Sequence, residues 1–156
     1  MITLGQKIDN FTLKDDQNND ISLYDIKNDY IILYFYPKDN TKGCTIEALL
    51  YKDYFDKFKE LNTTIIGISK DDIESHCKFK NNYDLPFMLL SDPNMDVINR
   101  FGAYGEKNLY GKKSFGIIRK TFILSKNYEV IKIYEKAIAK DNASRVYNFI
   151  LEKEGK

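Results

Sequence analysis

Tyr30-Ile31-Ile32-Leu33-Tyr34-Phe35-Tyr36-Pro37-Lys38-Asp39-Asn40-Thr41-Lys42-Gly43-Cys44 is the stretch that decides the fold. Tyr30 to Tyr36 reads as a strand. Its run Ile31 to Phe35 lacks polar alternation, which marks a central strand covered on both faces. Pro37 cannot donate to a sheet ladder, and the polar residues after it take the chain out of the sheet. From Cys44 to Leu61 the period changes. Ile46, Leu50, Tyr54, Phe58 and Leu61 fall on one helical stripe with charges elsewhere. A buried strand therefore feeds a polar loop and an amphipathic helix, and a cysteine stands at the helix start.

The alternation continues in both directions. Upstream, Ile8 to Leu23 reads as a short hairpin around the turn cluster Lys14 to Asp20. Downstream, Thr63 to Ser69 is a strand, Asp71 to Tyr83 a helix capped by Asp71 or Asp72, and Phe87 to Leu90 a short strand. Met95 to Phe101 reads as a brief helix ending at Gly102. Ile117 to Leu124 and Glu129 to Tyr134 form a hairpin. Asn142 to Glu152 is the last helix, with Val146, Phe149 and Ile150 on its core face. Alternating strands and helices imply a largely parallel sheet with helices on both faces, to which the late hairpin adds antiparallel strands. The expected fold is α/β: a thioredoxin-like sandwich, its mixed central sheet flanked by helices, with an N-terminal β-hairpin. No repeat or linker interrupts it, so residues 1–156 read as one domain.

The bulk numbers agree. A length of 156 residues suits a single substantial core. Hydrophobic content of 43% and charged content of 30% are ordinary for a globular protein. A net charge of +1 points to neither nucleic acid nor an acidic surface as partner. Met1 to Asn10 lacks the apolar run of a signal peptide, and Tyr30 to Pro37 is too short to cross a bilayer. The expectation is a cytoplasmic monomer with no membrane or nucleic-acid partner. Two cysteines, Cys44 and Cys77, are too few for a disulfide scaffold. In a reducing compartment such a pair is more often catalytic, metal-binding or inert.

Cys44 has the setting of an activated nucleophile. The first turn of a helix carries unpaired N–H groups and the positive end of the macrodipole, and both favour an anion such as a thiolate. Thr41, three residues upstream, brings a hydroxyl within reach. A free thiol of pKa about 8.5 is only about 3% thiolate at pH 7, and bringing one to about 6 takes about 3.4 kcal/mol. One helix terminus supplies about 0.3–2 kcal/mol. A cation and further donors are therefore wanted.

Pro37-x-x-x-Thr41-x-x-Cys44 resembles the active-site signature of the peroxiredoxins. Tyr34 to Thr41, Leu85-Pro86-Phe87, Leu89-Leu90-Ser91-Asp92, Tyr110-Gly111-Lys112 and Gly116 to Phe122 resemble the bacterioferritin-comigratory (PrxQ) subfamily. These strings run in order along nearly the whole chain. The resemblance implies a thiol-dependent peroxidase for hydrogen peroxide and organic hydroperoxides, with no cofactor and no metal. It implies that Cys44 is the peroxidatic cysteine and becomes a sulfenic acid. It further implies that Thr41 positions the peroxide, Pro37 shields the thiolate from water and Arg119 supplies positive charge. A thioredoxin-type dithiol protein is the implied reductant.

The pattern is broken in two places. Lys42 stands where close relatives have proline, which loosens the loop or adds charge. Leu49 stands where many members carry a resolving cysteine. Some members place the resolver on the next helix, where Cys77 lies, so Cys77 is the candidate resolving cysteine. A disulfide needs Cα atoms about 4.4–6.8 Å apart, so local unwinding around Cys44, Cys77 or both is expected. The alternatives are a one-cysteine peroxidase resolved by an external thiol, and a non-enzymatic peroxide sensor or redox relay. A disulfide oxidoreductase would want Cys-x-x-Cys, but the fourth position is Glu47.

Plainer readings exist for each residue. Cys44 is then a buried structural thiol, Cys77 an inert one, Arg119 a solvated charge and Thr41 a cap. His76, beside Cys77, fits no usual zinc pattern and reads as structural or surface. Glu47 suits the dipole yet opposes a thiolate unless paired, and is assigned no catalytic role. Tyr104 and Tyr110 are weak candidates to line the site.

Overall fold

The computed structural model describes residues 1–155. Strands β1 (Thr12–Asp15), β2 (Asp20–Ser22), β3 (Tyr30–Phe35), β4 (Thr63–Ser69), β5 (Met88–Ser91), β8 (Lys120–Ser125) and β9 (Val130–Tyr134) form one seven-stranded sheet, in the order β2-β1-β5-β4-β3-β8-β9. Strands β6 (Tyr104–Leu109) and β7 (Lys112–Ile117) form a separate two-stranded ribbon. The helices are α1 (Lys42–Asp53), α2 (Phe55–Glu60), α3 (Ile73–Tyr83), α4 (Asp96–Arg100) and α5 (Asn142–Lys153). This is the thioredoxin-like sandwich expected, with its N-terminal hairpin.

Strand β3 is buried along its whole length, and its period-2 alternation splits the interior into two layers. Ile31, Leu33 and Phe35 meet Ile8, Phe11 and the α4 residues Val97 and Ile98. Ile32, Tyr34 and Tyr36 meet Ala48 and Tyr51 of α1, Phe58 of α2, Phe79 of α3 and Val146 of α5. The second layer carries the helix with Cys44.

Three expectations are corrected. The sheet is not largely parallel: only β3/β4 and β4/β5 pair in parallel. Helical crossovers, which enforce parallel pairing, join only those strands. The N-terminal hairpin enters antiparallel through β1 on β5, and β8 lies antiparallel to β3. The helix read as Cys44 to Leu61 begins at Lys42 with Thr41 at its N-cap, and it divides at Tyr54. The Tyr54 amide still reaches Leu50 O and Phe58 N still reaches Tyr54 O, so the helical path continues across the break. The face that α1 buries is Cys44, Glu47, Ala48 and Tyr51 rather than the stripe expected: Ile46 is exposed, and Leu50 and Tyr54 are half-buried. Lastly, the β6–β7 ribbon falls in a stretch read as having no element. Tyr104 and Phe115 are exposed, so the apolar alternation of a half-buried strand is weak there. Its turn, Tyr110-Gly111, has φ of 52° and 78°, a left-handed turn without the usual Asn-Gly signature.

At the centre, Tyr34 of β3 lies opposite Gly67 of β4. A Cβ at Gly67 would fall 2.9 Å from the Tyr34 ring and from Leu89. Tyr34 stacks on Tyr51 at 4.7 Å and has little room to retreat. Gly67→Ala is therefore expected to cost about 1–3 kcal/mol, read as a lower urea midpoint with an unchanged far-UV spectrum.

Candidate active site

After β3 the chain turns through Asn40, in the left-handed region at φ 62°, and enters α1. Thr45 N donates to Thr41 O at 2.9 Å, closing the first helical turn. The amides of Lys42, Gly43 and Cys44 precede any intrahelical acceptor. Cys44 is the third helical residue, 1% exposed, at the positive end of α1, and no acidic residue occupies that first turn.

Arg119 comes from the junction of β7 and β8. Its Nη2 donates to Cys44 Sγ at 3.5 Å and its Nη1 to Glu47 Oε1 at 2.6 Å. Its carbonyl accepts from Ala137 N at 2.8 Å, which fixes the backbone. Gly43 makes room: a Cβ there would lie 3.1 Å from Nη2. Glu47, one turn beyond Cys44, is wholly buried, and Arg119 is 18% exposed.

The electrostatics follow from this burial. Burial pushes the Glu47 carboxyl from 4.5 up to about 7, against the pull of Arg119. Burial alone would lower the Arg119 pKa, but Glu47 and then Cys44 outweigh it and hold it above the ordinary value. Burial, then the Glu47 charge, keeps the Tyr34 phenol neutral far above its ordinary range. Among the described residues, Glu47 Oε2 and Tyr34 Oη have no hydrogen-bond partner. One guanidinium thus serves two potential anions. Burial and the Arg119 contact pull the Glu47 carboxyl in opposite directions, and the guanidinium is shared between its Oε1 and Cys44 Sγ.

Residues 4–133 match the AhpC/TSA family. Peroxiredoxin Bcp of Bacillus subtilis is 42% identical over 143 residues, spanning 92% of this chain and 91% of that protein. The chain belongs to the AhpC/TSA family of peroxiredoxins. The bacterioferritin comigratory protein of Xanthomonas campestris, in a structure concerned with alkyl peroxide reduction, is 30% identical. It superposes with a TM-score of 0.85 over 94% of this chain and 92% of its own. A cysteine-to-serine mutant of Xylella fastidiosa PrxQ, 28% identical, reaches a TM-score of 0.92 over 100% of this chain and 99% of its own. The chain is accordingly an enzyme, a thiol-dependent peroxidase of the Bcp/PrxQ type.

In this peroxiredoxin the residues singled out from sequence divide. Pro37 and Arg119 line one cavity of about 350 Å³ with Ile118, Ala137, Lys107 and Lys136, and Arg119 joins that cavity to Cys44. Thr41 is exposed, and its hydroxyl donates to Lys38 O at 3.0 Å rather than capping α1. Cys77 is not in the group. It is half-buried on α3, its Sγ accepts from Asn81 Nδ2 at 3.6 Å, and both cysteines are free. Ser75, Lys78, Phe79 and Asn82 line a cavity with Asp39 and Asn40 of the loop before Cys44. At about 100° per residue, Cys77 lies on the far side of the helix from that cavity. Tyr104 and Tyr110 are exposed and do not line the cavity beside Arg119.

Sequence reasoning missed Glu47 as a site residue. Its position one turn from Cys44 was visible, but its pairing with a residue on a distant strand was not. Lys107 was missed because it sits on the unrecognised ribbon.

Two outcomes follow from the geometry. A carboxyl whose pKa rises on folding stabilises the fold fully below about 4.5, and that stability is lost as pH rises to about 7. Urea unfolding across pH should show Glu47→Gln flattening this slope, at about 1.4 kcal/mol per unit of difference. Arg119→Ala should slow peroxide oxidation by about 10²-fold with native circular dichroism, and stopped-flow kinetics would read it. Unchanged kinetics would make Arg119 a structural partner of Glu47 only.

Proposed function

We propose that this peroxidase reduces hydrogen peroxide and organic hydroperoxides through Cys44. The observation that carries the reading is the Arg119 Nη2 contact to Cys44 Sγ at 3.5 Å, at the start of α1 and beside an open cavity. The Cys44 thiolate attacks one peroxide oxygen and the O–O bond breaks. The sulfur is oxidised to the sulfenic acid, and the leaving oxygen takes a proton and departs as water or alcohol. Arg119 and the free amides of the first turn stabilise the thiolate and the charge that develops on the peroxide oxygens. Pro37, at the cavity wall, keeps water from the thiolate. Thr41 turns its hydroxyl from Lys38 O toward the bound peroxide.

Resolution follows by condensation. The Cys77 thiol attacks the sulfenic sulfur, a disulfide forms and water leaves. A thioredoxin-type dithiol protein then reduces the disulfide and is itself oxidised. A monomer completes this reading. The proposed location is the cytoplasm, where a thioredoxin-type reductant keeps thiols reduced.

One observation favours a second reading. Cys77 faces away from the loop before Cys44, as expected of a one-cysteine enzyme resolved by an external thiol. Mass spectrometry after one equivalent of peroxide separates the two. The proposal expects a Cys44–Cys77 disulfide. Cys77→Ser should oxidise at the wild-type rate, stall with thioredoxin and accumulate sulfinic acid. Wild-type turnover by Cys77→Ser would establish the one-cysteine reading, and activity in Cys44→Ser would end both.

A further inference from the structure

His76 lies outside the peroxide site, immediately before Cys77, and is completely buried. Its Nε2 faces the Leu90 carbonyl at 2.9 Å and its Nδ1 faces Asp39 Oδ2 at 2.7 Å. A carbonyl only accepts, so Nε2 donates. A proton also lies between Nδ1 and the carboxyl group, because two lone pairs do not approach so closely. Asp39 accepts further from Tyr36 Oη at 2.6 Å and from Ser75 Oγ at 2.8 Å. Its backbone amide donates to Asp71 Oδ2 at 2.9 Å, and Ser69 Oγ donates to that same oxygen at 2.6 Å. The Asp39 carboxyl thus ties the end of β3 and the loop before Cys44 to the first turns of α3, and its backbone amide reaches the Asp71 carboxylate that also holds the end of β4. His76 extends the tie to β5.

We infer that His76 is a positioning residue of the peroxidase: through Asp39 it clamps the loop at 37–41 and the turn of α3 that bears Cys77 into one unit. The clamp has two effects. Closed, it holds Pro37 and Thr41 against the start of α1 and so maintains the Cys44–Arg119 geometry. It also opposes unwinding on both sides. The α3 turn at 76–77 cannot open without withdrawing a buried imidazole from two partners, and each orphaned group would carry its own desolvation cost. The clamp therefore favours oxidation and restrains resolution. Its effect on resolution rests on the reading of Cys77 as resolver; the clamp itself does not.

The test uses His76→Gln together with two variants that keep the imidazole, Tyr36→Phe and Ser75→Ala, which each remove one hydroxyl donor to Asp39. Hydrogen exchange of the reduced protein is read by mass spectrometry. Peptides over 37–50 and 73–83 should exchange about tenfold faster together, while 120–134 stays at the wild-type rate. In single turnovers, oxidation by peroxide should slow and disulfide formation should quicken, shifting their ratio by about tenfold or more. Uniform loss of protection across the sheet, or an unchanged ratio in variants that form the disulfide, would overturn the inference and leave His76 a packing residue. Faster exchange confined to both segments with no Cys44–Cys77 disulfide in any variant would uphold the clamp while removing Cys77 as resolver.

Discussion

The contact between Arg119 and the first turns of α1 is the constraint on which the site depends. Neither end of it works alone. A helix N-terminus is too weak to hold a thiolate unaided, and an arginine in solvent would be screened. The sheet supplies the proximity. Strand β8 lies beside β3 with Lys120 opposite Phe35, so Arg119 falls at the level of Tyr36, where the chain leaves the sheet for Cys44. Gly43 then admits the guanidinium without a side chain in the way. The antiparallel β3–β8 pairing, a fold-level fact, is thus what assembles the site.

Glu47 modifies this arrangement rather than opposing it. A buried carboxylate beside a nucleophilic thiol would ordinarily be unfavourable. Here desolvation raises its pKa to about 7, so its charge is only partly expressed at neutral pH. Its Oε1 still anchors Nη1, which leaves Nη2 aimed at sulfur. Aim is thus kept while part of the competing negative charge is removed.

Much of this was legible in the sequence, for identifiable reasons. The β3 run and the β8 strand of the late hairpin carry a strong pattern because each is largely buried, whereas the stripe read after Cys44 is misplaced: Ile46 is exposed, and α1 turns Cys44, Glu47, Ala48 and Tyr51 inward. The β6–β7 ribbon carries little, because exposed Tyr104 and Phe115 stand where a core-facing strand would bury its apolar residues. The place of Cys44 at a helix start was legible from the run of strand, polar loop and helix around it. Glu47 was not, because its meaning depends on a partner brought in by strand pairing. His76 read as structural or surface, and its burial decides for the interior. Its links to Asp39 and Leu90 lie in tertiary space and leave no periodic trace.

The loop at 37–41 is held from both sides, and that is the central tension of the molecule. On one side Arg119 fastens the start of α1; on the other Asp39 fastens the loop to α3 and, through His76, to β5. Pre-organisation for peroxide demands that both hold. Disulfide formation between Cys44 and Cys77 demands that helical turns unwind, since Cys77 lies on the far side of α3 from the loop. On the proposed mechanism, oxidation of Cys44 would change only the first tie directly, because a neutral sulfenic acid would draw Arg119 less than an anionic sulfur. The Asp39–His76 tie does not touch Cys44, so on the same mechanism it would remain as the barrier to unwinding. If Cys44 is oxidised as proposed, the polar network that readies it for attack would also set how long the sulfenic acid persists, and with it the exposure of Cys44 to a second, irreversible oxidation.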